Sequence, residues 1–282
     1  MKNVDQYNGL FFDGSNFSKV VDAIAIEEAL KIEVNNISFT ITMRTPGNED
    51  DLVRGILYSE NVIRSLTELP PIEVTEKNPA GFITKVNVNA PENLILKDFA
   101  GTRNVISSSS CGICGNTALD DKILDIKLVN NEVLNPALVE TMYKQVGEKQ
   151  KSFNQSGGTH AAGAFDINGN MLCMHEDIGR HNAVDKVIGF LINNKLLDKA
   201  KCLTVSGRVS YEIVSKCLSA GIPYLASVSA PSSLAIQYAE NGGITLMAFC
   251  RNKNLTVYSN PGKILINQPE LATEHLNPKT NV

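Results

Sequence analysis

The first third of the chain switches between strand-like and helix-like hydrophobic patterns. From Ala29 to Arg44, apolar residues occupy roughly every second position, and Asn35-Asn36 interrupts them in the manner of a β-hairpin turn. Acidic residues at 49–51 then precede apolar positions spaced along one helix face, and they complement the positive end of a helix dipole. Strand character returns at 72–74 and 83–88. The pattern predicts a small α+β unit behind a polar N-terminal arm.

The second half of the chain alternates regularly between short apolar runs and amphipathic segments. This alternation of strands and helices predicts a three-layer α/β sandwich built on a largely parallel sheet. Strands are predicted at 161–167, 171–175, 202–205, 224–227, 245–249 and 255–258, and helices at 136–150, 182–193, 211–220 and 232–241.

A serine- and glycine-rich stretch separates the two patterns. Four consecutive serines at 107–110 are followed by Cys-Gly-Ile-Cys-Gly, which has neither helix nor strand periodicity. We therefore predict a small α+β N-terminal domain with its arm (1–104), a flexible loop (105–118) and an α/β C-terminal domain (119–282). A loop at such a junction is a place where reactive side chains can be presented.

Composition narrows the class of protein. With 43% hydrophobic and 20% charged residues, the 282-residue chain has the make-up of a soluble globular protein. A net charge of −4 provides no global basic field for nucleic acid or an anionic membrane. The N-terminus is polar where a secretory signal has an apolar core, and no apolar run approaches the roughly 18 residues that cross a bilayer. We expect a cytoplasmic protein that binds neither nucleic acid nor membrane.

Three predicted strand-to-helix turns carry residues suited to anions. They are Asp177-Ile-Gly-Arg-His-Asn182, Ser206-Gly-Arg-Val-Ser210 and Ser229-Ala-Pro-Ser-Ser233. Helix N-terminal N–H groups stabilise anions, and arginine adds a fork of donors. Because such turns meet at the carboxyl ends of strands, they predict a site where Arg180, His181 and Arg208 contact a phosphate-bearing ligand. Ordinary capped helix starts are the alternative.

The segment from Phe249 to Asn254 joins the last two predicted strands. Its residues place two cations and a polar tip at a sheet edge, which suits a nucleotide phosphate or a guanine base. A solvated hairpin turn is the alternative. The residues are Phe249, Cys250, Arg251, Asn252, Lys253 and Asn254.

Cys111 and Cys114 form a Cys-x-x-Cys pair behind the four serines. An exposed, glycine-flanked thiolate is reactive, whereas one such pair supplies only two of the four ligands of a zinc site. A thioredoxin-like exchanger would have a strand before the motif and a helix after it, so we expect a tethered thiol and no metal. Packing in the core is predicted for the remaining cysteines, Cys173, Cys202, Cys217 and Cys250.

Three histidines share the second domain with two adjacent carboxylates. Clustered imidazoles and carboxylates can bind a metal or move protons, and hydrogen-bonded structural histidine is the alternative. The residues are His160, His175, His181, Glu176 and Asp177.

The sequence resembles the FdhD family, the sulfur carrier proteins required for formate dehydrogenase activity. The resemblance runs from about Ala29 to Pro261. The segments that carry it, in family order, are Ser109–Gly115, Glu176–Lys186, Ser206–Arg208 and Phe249–Arg251.

The resemblance implies a sulfurtransferase that takes persulfide sulfur from a cysteine desulfurase and passes it to the molybdenum or tungsten cofactor for the formate dehydrogenase catalytic subunit. The family's persulfide cysteine maps onto Cys111, and Cys114 matches an auxiliary thiol. Contacts with the bis-guanine dinucleotide cofactor map onto Phe249 to Asn254, where Asn252-Lys253-Asn254 departs from the family's glycine- and arginine-rich versions. A cytidine-deaminase-like fold is implied for the second domain.

Two alternatives accompany this interpretation. A zinc deaminase needs His-x-Glu and Pro-Cys-x-x-Cys, but Ala161-Ala162 follows His160 and no proline precedes a Cys-x-x-Cys. A molybdenum cofactor-binding carrier or chaperone without sulfur-transfer chemistry remains open.

A two-armed ligand shared across a symmetric interface would also suit a homodimer.

Overall fold

The structure, a computed structural model, describes residues 3–96 and 127–265. The helices and strands fall where the hydrophobic pattern predicts them, apart from the first hairpin and α3. In chain order they are β1 (Val4–Phe12), β2 (Phe17–Ala25), β3 (Glu28–Val34), β4 (Ile37–Arg44), α1 (Glu49–Ser59), β5 (Ile72–Lys77), β6 (Ile83–Val88), α2 (Ala137–Lys149), α3 (Lys151–Ser156), β7 (His160–Phe165), β8 (Met171–Asp177), α4 (Arg180–Asn193), β9 (Cys202–Val205), α5 (Tyr211–Ser219), β10 (Tyr224–Ser227), α6 (Ser233–Asn241), β11 (Thr245–Arg251) and β12 (Asn254–Val257).

The N-terminal arm is a two-stranded antiparallel ribbon of β1 and β2, and seven of its exposed side chains are large and apolar where a polar arm is predicted. Its strands pair from Val4 opposite Ala25 to Phe12 opposite Phe17. At the turn, the Asp13 carboxylate accepts the backbone N–H groups of Ser15 and Asn16, both at 2.9 Å. The predicted arm is therefore a hydrogen-bonded hairpin that continues to Ala25.

The N-terminal unit contains a four-stranded sheet in the order β4-β3-β6-β5. The predicted hairpin between β3 and β4 is confirmed, and its turn residues Asn35 and Asn36 have φ of 50° and 64°. Two consecutive positive φ values are the geometry of a type I′ turn, which asparagine tolerates. Helix α1 covers one face of this sheet, where Leu52 and Ile56 join the core with Ile32.

The C-terminal unit contains a six-stranded sheet in the order β12-β11-β10-β9-β7-β8. The prediction of a largely parallel sheet is wrong, because only the β9–β10 and β10–β11 pairs are parallel. β7 runs antiparallel to β8 and β9, and β12 runs antiparallel to β11. Short turns join β7 to β8 and β11 to β12. Because a short turn reverses the direction of the chain, the two strands that it joins pair antiparallel.

Helices cover both faces of the six-stranded sheet. Leu225 on β10 packs in one cluster with Val187 of α4 and Ile213 of α5, and α6 adds to the same cluster. The preceding residue Tyr224 packs on the opposite face with Met142 of α2. Successive strand residues point to opposite faces, so this split shows a mixed α/β arrangement with helices on each side of the sheet.

The two units meet through α1 and α4, which cross at two glycines. A Cβ atom on Gly55 would overlap the backbone carbonyl of Asp185, and one on Gly189 would overlap that of Asp51. Their absence lets the two backbones touch. The predicted domain boundaries at 104/105 and 118/119 lie outside the described residues and stay predictions.

Over residues 3–96 and 127–265, the helices are too short or too polar to span a lipid bilayer.

Candidate functional site

One edge of the six-stranded sheet collects most of the predicted ligand-binding residues. β9, β10 and β11 run parallel and end at this edge, and β8 ends there too. β7 runs the other way, so that its first residue, His160, lies opposite the last residue of β8, Asp177. We call this the carboxyl edge. Turns and helix N-termini converge at such edges, which is where α/β sheets bind ligands.

Serine hydroxyl groups fix the turns at the carboxyl edge. Ser206 Oγ accepts the N–H of Ala161 at 2.9 Å. Ser227 Oγ donates to the carbonyl of Gly207 at 2.8 Å and accepts the N–H of Ser229 at 2.9 Å. The turns after β9 and β10 are therefore held to their neighbours, which preorganises the backbone at this edge.

His160 lies beside two arginines at the carboxyl edge. Its Nδ1 atom is 3.3 Å from Ser206 Oγ. Burial lowers the pKa of His160, and the charges of Arg180 and Arg208 lower it further against the opposing influence of Asp177. The imidazole is therefore neutral at pH 7, and the arginines carry the positive charge around it.

Gly207 keeps this group close together. A Cβ atom at this position would lie 3.3 Å from both the His160 ring and the Cδ atom of Arg180. Such contacts are tighter than most packing contacts, so a larger residue would push the histidine and the arginine apart. The glycine of the Ser-Gly-Arg turn is therefore needed for close packing.

His181 lies between the first turns of α4 and α5. Its Nε2 atom is 3.3 Å from Ser210 Oγ and 4.0 Å from the Glu212 carboxylate. Burial and the neighbouring Arg180 lower the pKa of His181 to about 3. The neutral ring therefore joins two helix starts, and ligand contact by His181 stays a prediction.

The segment from Phe249 to Asn254 contains the predicted hairpin turn. Asn252 and Lys253 have φ of 51° and 67° and connect Arg251 to its strand partner Asn254. Arg251 Nε donates to the Val228 carbonyl at 2.9 Å, which anchors the guanidinium to the turn after β10. The structure shows a hairpin turn here, and contact between this segment and a ligand stays a prediction.

A cavity of about 1160 Å³ opens between α2 and the β11–β12 turn. Pockets that bind drug-sized ligands measure roughly 300–1000 Å³, so this cavity is large enough for such a ligand. Its charged lining comprises Lys144, Arg251 and Lys253 together with Glu140. The full lining is Pro136, Ala137, Val139, Glu140, Thr141, Tyr143, Lys144, Cys250, Arg251, Asn252, Lys253, Asn254 and Leu255.

The α2 wall of this cavity is absent from the sequence-based site. Glu140 and Lys144 are one helical turn apart, a spacing typical of an ordinary solvated pair. The Tyr143 hydroxyl donates to the Val205 carbonyl at 3.2 Å, which fixes α2 against the end of β9. Nothing in the local sequence distinguishes these residues from any exposed helix face, because the link to Arg251 is made only in three dimensions.

The two cysteines of the predicted reactive motif, Cys111 and Cys114, lie outside the described residues. The packing prediction for the other four is confirmed, since all are buried. Burial raises the pKa of Cys173 to about 12 and that of Cys250 to about 11. It also raises the pKa of the remaining two thiols, Cys202 and Cys217. Such thiols are protonated at neutral pH and are poor nucleophiles.

The acidic pair next to β8 and α4 holds elements together. Glu176 accepts the N–H groups of Ser152 and Phe153 at 2.9 and 2.7 Å and so caps α3. Asp177 forms a buried ion pair with Lys186 at 2.7 Å. Across residues 3–96 and 127–265, no group of three or more His, Cys, Asp and Glu side chains is arranged for a metal ion.

His175, the third of the histidines singled out in the sequence, packs against α4 and near α1. Its ring centroid is 5.5 Å from that of Phe190, and its Nε2 atom is 3.9 Å from the Asp51 carboxylate. Burial and the charge of Lys186 lower the pKa of His175 to about 4. A neutral ring in a packed setting fits the structural alternative.

The sequence of the chain is similar to a known protein family and to named members of it. The model of the FdhD/NarQ family matches residues 25–265. Proteins named sulfur carrier protein FdhD from Sulfolobus acidocaldarius and Mycobacterium tuberculosis are each 39% identical to this chain, over 86% of it and over 91% and 92% of their own lengths.

A solved structure shares the fold. It is the crystal structure of a protein from Desulfotalea psychrophila whose title names a formate dehydrogenase accessory protein. It superposes with a TM-score of 0.74 at 23% identity and covers 94% of this chain and 100% of its own. The family match, the relatives and the shared fold agree over nearly the same residues, so the chain belongs to the FdhD/NarQ family.

Proposed function

We propose that this protein is a sulfurtransferase. It accepts persulfide sulfur from a cysteine desulfurase on Cys111 and transfers it to a molybdenum cofactor with two guanine dinucleotide arms, for the catalytic subunit of formate dehydrogenase. Relatives named sulfur carrier protein FdhD support the sulfur-carrying part. The observation that carries the acceptor side is the cation-lined cavity at the carboxyl edge, where Arg251 and Lys253 line about 1160 Å³.

The loading step exchanges one S–S bond for another. The Cys111 thiolate attacks the terminal sulfur of the desulfurase persulfide, the S–S bond of the donor breaks, and the donor cysteine leaves as a thiolate. Cys111 then carries one additional sulfur atom as a persulfide. Thiolate attack on a sulfur–sulfur bond is the ordinary course of such exchanges, and it is fastest when the pKa of the attacking thiol is near the ambient pH.

The release step needs two electrons, because sulfane sulfur becomes sulfide. A second thiolate supplies them if Cys114 attacks the inner sulfur of the Cys111 persulfide. The two cysteines then form a disulfide, and hydrosulfide leaves toward the metal. This assigns Cys114 an auxiliary, resolving role, and a cellular dithiol would have to reduce the disulfide before the next cycle.

The acceptor would bind along the carboxyl edge. Its diphosphates carry negative charge, which the guanidinium groups of Arg180, Arg208 and Arg251 complement. The neutral His160 provides a hydrogen-bonding surface between the first two without adding charge. One guanine arm would occupy the cavity next to α2, with Lys253 and Asn254 contacting it from the turn.

Replacement of Arg251 by alanine is expected to weaken binding of guanosine diphosphate about tenfold or more, measured by calorimetry. The Val228 carbonyl anchors this side chain, so the intact protein spends little entropy in presenting it to a phosphate. Loss of a charged hydrogen bond costs about 1.5–3 kcal/mol, which corresponds to roughly 10- to 150-fold in affinity.

Lys77→Ala is a suitable control, because Lys77 is an exposed cation on β5 in the other sheet. It should bind guanosine diphosphate as the parent protein does. Equal affinity in the Arg251→Ala protein would remove this segment from the binding site.

The alternative is a cofactor carrier or chaperone in which the cysteines do no sulfur chemistry. The cavity and the arginines would serve this role equally well, so binding measurements do not separate the two functions. Labelled sulfur does, because only a sulfurtransferase acquires the label on a cysteine and passes it on. A protein that binds the cofactor but stays unlabelled after incubation with an active desulfurase would establish the chaperone.

We propose in addition that the protein acts as a cytoplasmic homodimer and that its C-terminal unit is related to the cytidine deaminases in fold. The sheet order β8-β7-β9-β10-β11, with β7 antiparallel to its neighbours and helices on both faces, supports the second point. Superposition of this unit on a zinc deaminase tests it.

A further inference from the structure

The β1–β2 ribbon exposes more large apolar side chains than any other element of the described chain. Seven such residues on 22 positions are between 45% and 70% exposed, whereas every other described helix or strand exposes at most one. They also lie before or at the start of the family match, which begins at residue 25. The seven residues are Tyr7, Leu10, Phe11, Phe12, Phe17, Val21 and Ile24.

These side chains occupy both faces of the ribbon. The strand register puts Leu10, Phe12, Phe17 and Val21 on one face and the other three residues on the opposite face. The rings of Phe12 and Phe17 touch each other, with centroids 4.9 Å apart, but both remain more than half exposed. A ribbon that is apolar on both faces is not covered by folding back onto one surface of its own chain.

The ribbon is attached to the protein at its base. Ile26 N donates to the Asn3 carbonyl at 2.9 Å, and Ala25 packs against Gly158, where an added Cβ would be 3.3 Å away. Helix α3 is the helix that contacts the two strands. Nine paired positions at about 3.3 Å each extend the ribbon by roughly 30 Å. Because an isolated two-stranded hairpin is marginally stable in water, the distal half needs another surface.

We propose that the β1–β2 ribbon is an arm that packs against a second copy of this chain across a two-fold axis. The proposal rests on the homodimer proposed above and names the surface that forms it. The four aromatic side chains alone, at roughly 200 Å² each and 53–70% exposed, leave about 500 Å² uncovered. With the aliphatic residues, this approaches the roughly 800 Å² per partner of a standard interface.

Charge complementarity favours a second copy as the occupant. The arm carries Asp5, Asp13 and Asp22 against a single Lys19, so its net charge is −2. The end of α2 and the start of α3 present the exposed cations Lys149 and Lys151 against one exposed carboxylate, Glu148, and Phe153 beside them is 43% exposed. We call Lys149, Lys151 and Phe153 the basic corner. A two-fold axis would let each arm meet the basic corner of the other copy, as an isologous interface requires.

Sedimentation velocity of the full chain tests the arm. The wild-type protein should sediment as a dimer at micromolar concentration. Phe11→Asp with Phe17→Asp places a charge on each face near the tip, and it should raise the dimer dissociation constant about 30-fold or more. Both side chains are exposed, so the core is untouched and circular dichroism should be unchanged. Val74→Asp on β5, where the side chain is 44% exposed, is the matched control and should remain dimeric.

A shortened arm gives a second measurement that does not depend on a new charge. Leu10 lies opposite Lys19, so an Asn-Gly turn that replaces residues 11–18 preserves the register of the remaining strands. This protein should also be monomeric at concentrations where the wild-type protein is dimeric.

Charge exchange tests the basic corner. Asp22→Lys and the pair Lys149→Glu with Lys151→Glu should each weaken the dimer, because each places like charges opposite one another. Their combination should dimerise more tightly than either alone, which a merely local defect would not produce.

Four other outcomes would overturn the proposal. The first two are a monomeric wild-type protein and arm variants that are as dimeric as the wild type. The third is a combined charge reversal whose effect on dimer stability equals the sum of the separate effects. The fourth is a set of arm variants that remain dimeric and lose only the binding of formate dehydrogenase. Sulfur labelling on the same proteins keeps the two proposals apart. A wild-type dimer that never acquires sulfur refutes the sulfur carrier while leaving the arm, and a labelled wild-type monomer refutes the arm while leaving the sulfur carrier.

Discussion

A Cys111→Ala protein is expected to acquire no sulfur from a cysteine desulfurase and to lower formate dehydrogenase activity at least about 100-fold in cells that depend on it. Sulfur transfer proceeds through a covalent bond to one thiol, and no binding energy substitutes for a missing nucleophile. Intact-mass spectrometry after incubation with cysteine and the desulfurase measures the first effect. The mass of the wild-type protein should increase by one sulfur atom.

The other cysteines provide controls of graded severity. Cys114→Ser should still load sulfur on Cys111 but release it slowly, because the resolving thiol is gone. Cys250→Ser should load normally, since burial raises the pKa of Cys250 to about 11 and makes it a poor nucleophile. Sulfur found on the Cys111→Ala protein, or full formate dehydrogenase activity with it, would contradict the assignment.

Local patterns in the sequence predicted most of the secondary structure. The hairpin at Asn35-Asn36 follows from two residues that tolerate positive φ between alternating apolar runs. The helices of the C-terminal unit follow from amphipathic spacing, and a strand such as Cys202–Val205 follows from a short buried run. These signals are contained within the element itself, which is why the sequence shows them.

The direction of the strands depends on the turns that join them as well as on the alternation of strands and helices. β7 lies between β8 and β9 and opposes both. An alternation of strand and helix favours parallel pairing, but β7 and β8 are consecutive strands joined by a turn at Asp166. The carboxylate of Asp166 accepts the N–H groups of Asn168 and Asn170, at 2.9 and 2.8 Å. This short turn reverses the chain, so β7 and β8 pair antiparallel.

Helix α3 depends on a partner that is distant in the sequence. Its six residues, Lys151–Ser156, are too few to be stable alone. The Glu176 carboxylate accepts two of its first N–H groups and the hydroxyl of Thr159, at 2.7–2.9 Å. A glutamate 24 positions from Ser152 in the sequence thus caps the N-terminus of α3.

Only part of the candidate site could be predicted from the sequence, because its other residues are brought together by packing between distant segments. Its turns carry glycine, serine and arginine, which are recognisable wherever they follow a strand, and the structure brings Arg208 and Arg251 to one edge of the sheet. The cavity wall from α2, including Glu140 and Tyr143, becomes part of the site only through packing. The sequence therefore predicted the arginine-bearing turns of the candidate site but not the α2 wall of the cavity.

A Gly189→Ala protein is expected to lose about 3 kcal/mol or more of unfolding free energy, which lowers the melting temperature by roughly 6–12 °C. An added Cβ would overlap the backbone carbonyl of Asp51, and a backbone carbonyl has no rotamer by which to withdraw. The helices α1 and α4 would have to separate. Scanning calorimetry or chemical denaturation measures the loss.

The effect should exceed that of an ordinary overpacked residue because buried polar contacts depend on the same crossing. Lys186 Nζ donates to the Thr45 carbonyl at 2.9 Å, and the Asp185 carboxylate accepts the Ser59 hydroxyl at 3.1 Å. Both bonds join α4 to the N-terminal unit. Separation of the helices would stretch them and leave charged groups partly unsatisfied in the interior, which is costly.

Gly147→Ala is the matched control, because Gly147 is also a helical glycine but an added Cβ there would meet nothing within 4 Å. Alanine restricts the unfolded chain and favours the helix, so this variant should gain about 0.5–1 kcal/mol. Opposite signs for the same substitution would show that the close approach at Gly189, and not the removal of a glycine, sets the result. Unchanged stability in the Gly189→Ala protein would mean that α1 and α4 do not touch at this crossing, and the two units would then have to be held together by other contacts.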